Sequence, residues 1–156
     1  HTSNWDFIIG LAAYRSLGRK ANFLMKEFWF FFPLGYLLRA LGGIPVPKKR
    51  GSDLTASIIH DFGTRNYINL AVTPEGTRSR TDRWRRGFLY IAYGAKVPLQ
   101  LGIIDYENSR VIIRDEYLLT GDPDADIAGI KKYYSNYANA ARYPRKFSAG
   151  GENQTP

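Results

Sequence analysis

Two short runs of this 156-residue chain carry side chains whose types and spacing could do chemistry. The first is His1-Thr2-Ser3-Asn4-Trp5-Asp6. A His and an Asp at this spacing meet when the segment between them turns into a helix N-terminus. The carboxylate then holds one imidazole nitrogen, which fixes the tautomer and leaves the other nitrogen as a base. An Asp6 that caps a helix beside a bystander His1 fits the same spacing. The second run is Pro74-Glu75-Gly76-Thr77-Arg78, directly after the apolar stretch 67–72. In parallel α/β sheets, ligands gather at the carboxyl ends of strands. Gly76 lets backbone N–H groups approach an anion, Arg78 can grip a phosphate with two donors, and Thr77 adds a hydroxyl. An ordinary turn with a solvated ion pair is the plainer alternative.

Other chemistry is thinly represented. There is no GxSxG elbow, no GxxxxGK[ST] loop and no GxGxxG. With no cysteine and two histidines, disulfides and a Cys nucleophile are excluded, and no metal site is expected. Lys and Arg exceed Asp and Glu by 22 to 14, a net charge of +8. A balance this basic points to an anionic partner: nucleic acid, an acidic membrane surface or a phosphorylated small molecule. His60 reads as a helix-face residue without a role.

The elements that must position these runs follow from periodicity. Residues 4–17 read as a helix with Phe7, Ile8, Leu11, Ala12 and Leu17 on one side, capped by Ser3, Asn4 or Asp6 and ended by Gly18. Residues 28–44 are the most apolar stretch, 17 residues broken by Pro33, Gly35 and Arg39. A spanning helix needs about 20 apolar residues, so a buried or an interfacial helix is expected here. The aromatic run 28–32 fits the core, and also the wall of an acyl-chain groove. A short strand follows at 44–47. Ser52 caps a helix to about residue 64, with Leu54, Ile58, Ile59 and Phe62 inward. Strands are expected at 67–72, 97–106 and 110–114, and a short helix at 87–94. Asp122 and Pro123 open a last helix whose stripe is Ile127, Ile130, Tyr134, Tyr137 and Ala141, with Asp124 and Asp126 complementing its dipole. The pattern predicts a single α/β domain over 1–147, a largely parallel central sheet flanked by helices, and a polar disordered tail at 148–156.

Taken in order, four blocks resemble the glycerolipid acyltransferase family, the lysophosphatidic acid acyltransferase-like proteins. Residues 1–6 resemble its HxxxxD catalytic motif, Ser3 included. Gly42-Gly43-Ile44-Pro45-Val46 resembles the second block. TPEGTRS, residues 73–79, resembles the third, the acceptor-phosphate motif. Val97-Pro98-Leu99 resembles the fourth. The matches span most of residues 1–106. Where the family's second block commonly continues Asp-Arg, Pro47-Lys48 stands here, so Lys48 takes the basic position and Arg50 is a nearby substitute. Lys lacks the planar fork of Arg, which bears on the acceptor headgroup. The family also has a strand before its catalytic His, expected here to precede His1 together with any membrane-associating segment.

The resemblance implies a glycerol-3-phosphate acyltransferase-like fold. It implies transfer of a fatty acyl group from acyl-CoA or acyl carrier protein to a hydroxyl of a 1-acylglycerol-3-phosphate-like lysophospholipid, in phospholipid biosynthesis. His1 would be the general base and Asp6 its orienting partner, with no covalent acyl-enzyme, metal or cofactor beyond the acyl co-substrate. A helix N-terminus after His1 favours the neutral imidazole a base requires. Glu75, Gly76, Thr77 and Arg78 would floor the acceptor phosphate, and Lys48 and Arg50 would add positive charge. Residues 78–86 hold five Arg and Trp84. They form either a solvated loop or a contact for anionic headgroups, coenzyme A phosphates or acidic carrier protein, with Trp84 at a membrane interface. The implied location is peripheral, on the cytoplasmic face of an anionic membrane. A catalytically silent acyl-lipid-binding protein of the same fold is the alternative. Nucleic-acid binding is permitted by charge but carries no motif. If Arg78 binds the acceptor phosphate, Arg78→Ala raises the KM for a phosphate-bearing acceptor more than that for the acyl donor. Equal rises in steady-state assays would place Arg78 in general structure.

Overall fold

The computed structural model describes residues 2–3, 5–46, 51–77 and 79–149, with backbone alone for residues 51, 52 and 115. Two compact units emerge. One takes the described residues of His1–Gly10, Thr73–Arg86 and Pro98–Pro156, the other Leu11–Val72 and Gly87–Val97. The helix α1 (Trp5–Ser16) ends as the sequence predicts. Gly18 adopts φ 67°, and the Gly18 and Arg19 N–H groups donate to the Arg15 and Tyr14 carbonyls. That pair of bonds satisfies the last orphan carbonyls of the helix. Its apolar side is not buried, however: Phe7, Ile8 and Leu17 are all exposed.

The second unit is built on three parallel strands, β1 (Asn22–Lys26), β2 (Gly43–Val46) and β3 (Leu70–Ala71), in the order β2-β1-β3. β1 escapes sequence patterning, because it has five residues and only Phe23 among them is fully buried. Asn22 locks it to both neighbours. Its side-chain amide donates to the Gly42 carbonyl at 3.3 Å, and its Oδ1 accepts the Asn69 N–H at 3.1 Å. The crossover from β1 to β2 holds α2 (Leu34–Ala40), and the crossover from β2 to β3 holds α3 (Gly51–Thr64). α3 begins at Gly51, so Ser52 lies inside the helix rather than at its cap. α4 (Gly87–Ala95) packs on α3, where Gly94 leaves room for the Ile59 side chain. Ile44, Ile58 and Ile91 form the core, ringed by Leu24, Leu54, Phe62, Ile68 and Leu70. Pro45 is tolerated because β2 is an edge strand.

Three expectations fail in this unit. The stretch 28–44 is neither a buried nor a continuous helix; it breaks into a 3-10 turn (Glu27–Trp29), the seven-residue α2 and β2. The aromatic run is not core: Phe28 is 79 % and Phe32 81 % exposed. Its connection spans two adjacent strands, so only one side of it can face the sheet. The run 67–72 also pairs only at Leu70–Ala71, with Tyr67 exposed and its hydroxyl donating to the Lys20 carbonyl at 2.9 Å.

The first unit holds β4 (Leu99–Asp105) and β5 (Arg110–Tyr117), paired antiparallel. The expected single, largely parallel sheet is thus a parallel trio and a separate hairpin. The reason is connection length: residues 106–109 are too few for the crossover a parallel pair needs. Buried Asp105 holds this turn, accepting the Asn108 N–H (3.1 Å), the Asn108 side-chain amide (2.9 Å) and Arg110 Nε (2.9 Å). These bonds, Asn108 foremost, hold its carboxyl below the usual carboxylate range. α5 (Pro123–Ser135) starts as expected, with Asp122 accepting the Asp124 N–H at 2.9 Å. Asp126 stands in the first turn of α5, as expected. It is fully buried and accepts the N–H and hydroxyl of Thr120. Trp84 is core as well, 8 % exposed, with its indole N–H donating to the Ser148 carbonyl at 3.2 Å. It therefore lies buried in this unit and not at a membrane interface. Ser148, assigned by composition to the tail, is buried and its hydroxyl also bonds Asp82. Residues 150–156 lie outside the described residues.

The second-block glycines have a packing role. Gly42 adopts φ 100°, and a Cβ there would collide with the Ala21 carbonyl oxygen. A Cβ at Gly43 would lie 2.8 Å from the Leu38 carbonyl oxygen. Gly63, inside α3, has nothing within 4 Å of its missing Cβ. Gly42→Ala is expected to cost about 1–3 kcal/mol through strain and overpacking. Gly63→Ala is expected to gain about 0.5–1 kcal/mol of helix stability. Thermal unfolding followed by circular dichroism should show Tm shifts of opposite sign.

Candidate active site

The segment ahead of α1 folds around the Asp6 carboxylate. Asp6 Oδ2 accepts the N–H of Thr2 at 2.7 Å and of Ser3 at 3.0 Å. Ser3 Oγ in turn accepts the Trp5 N–H at 3.2 Å. The Asp6 bond to the Ser3 N–H is one half of a capping box, with Asp in the place Glu or Gln usually takes, while Ser3 Oγ caps the Trp5 N–H and the Asp6 N–H donates to the Ser3 carbonyl at 3.3 Å. The helix-capping role open from the sequence is therefore real, and it accounts for one of the donors on Asp6. The Thr2 N–H and a third donor lie outside it.

That third donor is Tyr106, whose hydroxyl donates to Asp6 Oδ1 at 2.7 Å across 100 residues of sequence. Burial, then the hydrogen bond and charge of Asp6, push the Tyr106 pKa up to about 12, with Arg142 acting in the opposite direction. The hydroxyl thus keeps its proton throughout the neutral range. Tyr106 directly follows the last residue of β4, and its N–H donates to the Ala140 carbonyl at 2.8 Å. The Arg142 guanidinium lies over three rings, 5.7 Å from the centroids of Trp5 and Tyr106 and 5.9 Å from that of Tyr143. The Tyr143 N–H donates to Thr2 Oγ1 at 3.3 Å, and Thr2 and Ser3 are both buried. Sequence reasoning misses Tyr106 and Arg142. The one available signal is the place of Tyr106 at the carboxyl end of a strand; nothing local marks Arg142.

The other constellation follows β3 in sequence. Gly76 takes φ 61°, with its N–H donating to the Thr73 carbonyl at 3.1 Å. The Arg85 N–H donates to the Pro74 carbonyl at 2.7 Å, and the Arg85 side chain lies where a Gly76 Cβ would be. The turn thus folds back on the arginine-rich loop and keeps a guanidinium beside its glycine. Thr77 Oγ1 accepts the Ser79 N–H at 3.2 Å, and Glu75 is half-buried. Arg80, Arg83, Arg85 and Arg86 are exposed, with Arg86 paired to Asp124.

Of the residues singled out by sequence, Asp6, Glu75, Gly76 and Thr77 are placed as above. His1, Lys48, Arg50 and Arg78 lie outside the described residues. His60 is exposed on α3. Among the described residues, no three His, Asp or Glu side chains group as metal ligands would. Chemically, the first unit offers a fixed carboxylate on a polar turn and a glycine turn lined by arginine.

An α/β chain with an oriented carboxylate in an HxxxxD run and a separate PEGTR turn has the make-up of a group-transfer domain. The protein-family model described as Acyltransferase matches residues 1–101, and the chain belongs to this family, the glycerolipid acyltransferases. Comparison with curated proteins and with solved structures gives no match.

Tyr106→Phe tests the third donor. It removes one hydrogen bond to a charged acceptor, about 1.5–3 kcal/mol. If that bond sets Asp6 for catalysis, kcat falls about ten- to hundredfold while both KM values hold. The linkage sign follows from the raised pKa. An acid whose folded-state pKa lies above its unfolded value, about 10 for Tyr, stabilises the fold below that value. The contribution is lost as pH rises toward the folded value of about 12. Denaturant unfolding between these pH values should show a shallower alkaline loss of stability in Tyr106→Phe than in the parent.

Proposed function

We propose that the chain transfers a fatty acyl group from acyl-CoA or acyl carrier protein to a hydroxyl of a lysophospholipid of the 1-acylglycerol-3-phosphate type, in phospholipid biosynthesis, on a glycerol-3-phosphate acyltransferase-like scaffold. The observation that carries this reading is the Asp6 turn. The Thr2 nitrogen, the atom that joins His1 to the chain, donates to Asp6 at 2.7 Å. The carboxylate of the HxxxxD run is thus fixed by backbone N–H groups at the start of that run, which supports its role as an orienting group.

In this reading His1 removes the proton of the acceptor hydroxyl as its oxygen bonds to the thioester carbonyl carbon. Asp6 holds the ring and stabilises the imidazolium. Collapse of the tetrahedral intermediate breaks the carbon–sulfur bond. The departing thiolate takes the proton back, leaving an ester and a free thiol. Glu75, Gly76, Thr77 and Arg78 hold the acceptor phosphate, with Lys48 and Arg50 adding charge. The acceptor is amphipathic, so the enzyme works as a peripheral protein at the cytoplasmic face of an anionic membrane. No helix among the described residues is long and apolar enough to cross a bilayer.

Purified protein with acyl-CoA and a panel of lysophospholipids should release free CoA and yield the diacyl product. Acyl-CoA binding without CoA release would favour the silent lipid binder. His1→Ala and Asp6→Asn should each lower kcat about 10²–10⁴-fold, the usual cost of losing a general base, with the circular dichroism spectrum unchanged. Near-full turnover in both variants would end the assignment.

A further inference from the structure

The β1–β2 crossover carries an apolar surface on the wrong side. A crossover connection normally turns apolar residues to the sheet and polar residues to water. Here the inward contacts come from Phe30, Gly35 and Leu38. A Cβ at Gly35 would lie 2.5 Å from the Phe30 carbonyl oxygen, and one at Gly43 would meet the Phe30 ring and the Leu38 backbone. The outward residues are Phe28, Trp29, Phe31, Phe32, Tyr36 and Leu37, each between 48 % and 81 % exposed. They are held rather than loose. The Phe30, Gly35 and Tyr36 N–H groups donate to the Glu27, Phe31 and Pro33 carbonyls, and Phe28–Trp29 and Phe32–Tyr36 meet edge to face at 5.8 and 6.1 Å.

We infer that this aromatic knob is the membrane-contacting surface of the domain, seated in the interfacial layer of an anionic bilayer. Two observations select a bilayer over another occupant, and a third sets how the segment can meet it. Trp and Tyr, which favour the headgroup level, sit among Phe residues that favour the acyl boundary. Exposed Lys26 and Arg39 bound the aromatic segment in sequence against the single exposed carboxylate of Glu27, a net positive charge of the kind that faces anionic headgroups. The helical part, α2, has seven residues, so the knob can lie in the interface and cannot span it. The arginine loop lacks such an insert, because Trp84 is buried. It adds long-range attraction, whereas the knob adds apolar contact. The inference rests on the proposed lipid acceptor only for its biological setting; the contact itself is independent of turnover.

Vesicle sedimentation tests it, using phosphatidylcholine with and without phosphatidylserine. Replacing Phe28, Phe31 and Phe32 together by Ser should weaken partitioning onto both vesicle types by at least about tenfold. Replacing Arg80, Arg83, Arg85 and Arg86 by Gln should remove mainly the salt-sensitive part on the anionic vesicles. In the unaltered protein, brominated acyl chains should quench a tryptophan signal that Trp29→Phe abolishes, a readout independent of how the Ser variant folds. Unchanged binding in a folded Ser variant would overturn the inference, as would quenching indifferent to Trp29→Phe. So would a concentration-dependent dimer that the Ser variant dissolves, which would make a second copy the occupant. An inactive protein that binds through the knob would refute only the acyltransferase reading; an active one that ignores vesicles would refute only this inference.

Discussion

The first unit depends on how the Asp6 carboxylate is satisfied. A carboxylate drawn out of water must recover its hydrogen bonds or forfeit several kcal/mol. Asp6 recovers them from Thr2, Ser3 and Tyr106. The first two are local and come with the helix start. The third requires that a residue 100 positions away be delivered to within 2.7 Å. That delivery explains much of the unit. Asp105 braces the hairpin turn next to Tyr106, the Ala140 carbonyl fixes the Tyr106 backbone, and Arg142 covers the ring. Tyr143 closes the circuit by bonding Thr2.

Readability from sequence follows the range of each interaction. The Gly18 stop, the Asp122 cap and the helices α3 and α4 depend on neighbours a few residues apart, and pattern reasoning finds them within a residue or two; α5 starts where expected but ends at Ser135, short of Tyr137 and Ala141, which flank a separate 3-10 turn. The hairpin reads as part of a parallel sheet although the short 106–109 connection already excludes that. β1 carries too little periodicity to be seen. Depth of burial is the commonest failure, because composition says which residues can be buried and not which side of a connection faces the sheet. Hence Phe28 and Phe32 read as core and are exposed, while Trp84 reads as surface and is buried. For the candidate site, the HxxxxD and PEGTR runs are readable because each is contiguous. Tyr106 and Arg142 are not, since only the tertiary fold brings them to residues 2–6.

The aromatic residues divide into two populations with different physics. Trp84 and Tyr134 meet edge to face at 5.8 Å, with Lys131 over the Trp84 ring, and these contacts hold α5 to the loop 82–86. The aromatics of the β1–β2 crossover stack on one another and leave their faces open. An exposed Phe gains nothing for the fold, and a polar residue there would serve the sheet equally well. The glycines beneath explain how the arrangement is tolerated. Gly35, Gly42 and Gly43 let the connection press its backbone onto neighbouring backbone, so the unit closes without drawing the aromatic side chains inward.

The nature of the third donor on Asp6 matters for the proposed chemistry. A lysine or arginine in the place of Tyr106 would make a stronger bond, but it would cancel the charge that is to stabilise an imidazolium. A neutral hydroxyl fixes the carboxylate without cancelling that charge. Its pKa, pushed up to about 12 by burial and by Asp6, keeps it a donor wherever an imidazole base could work. Arg142 is held over the ring of Tyr106, and its positive charge opposes part of the rise. For a reaction with no covalent intermediate, in which proton transfer and attack share one transition state, the protein's contribution is orientation and fixed charge. A carboxylate held by two backbone N–H groups and one phenol supplies both, and it is already oriented before any proton moves in the proposed reaction.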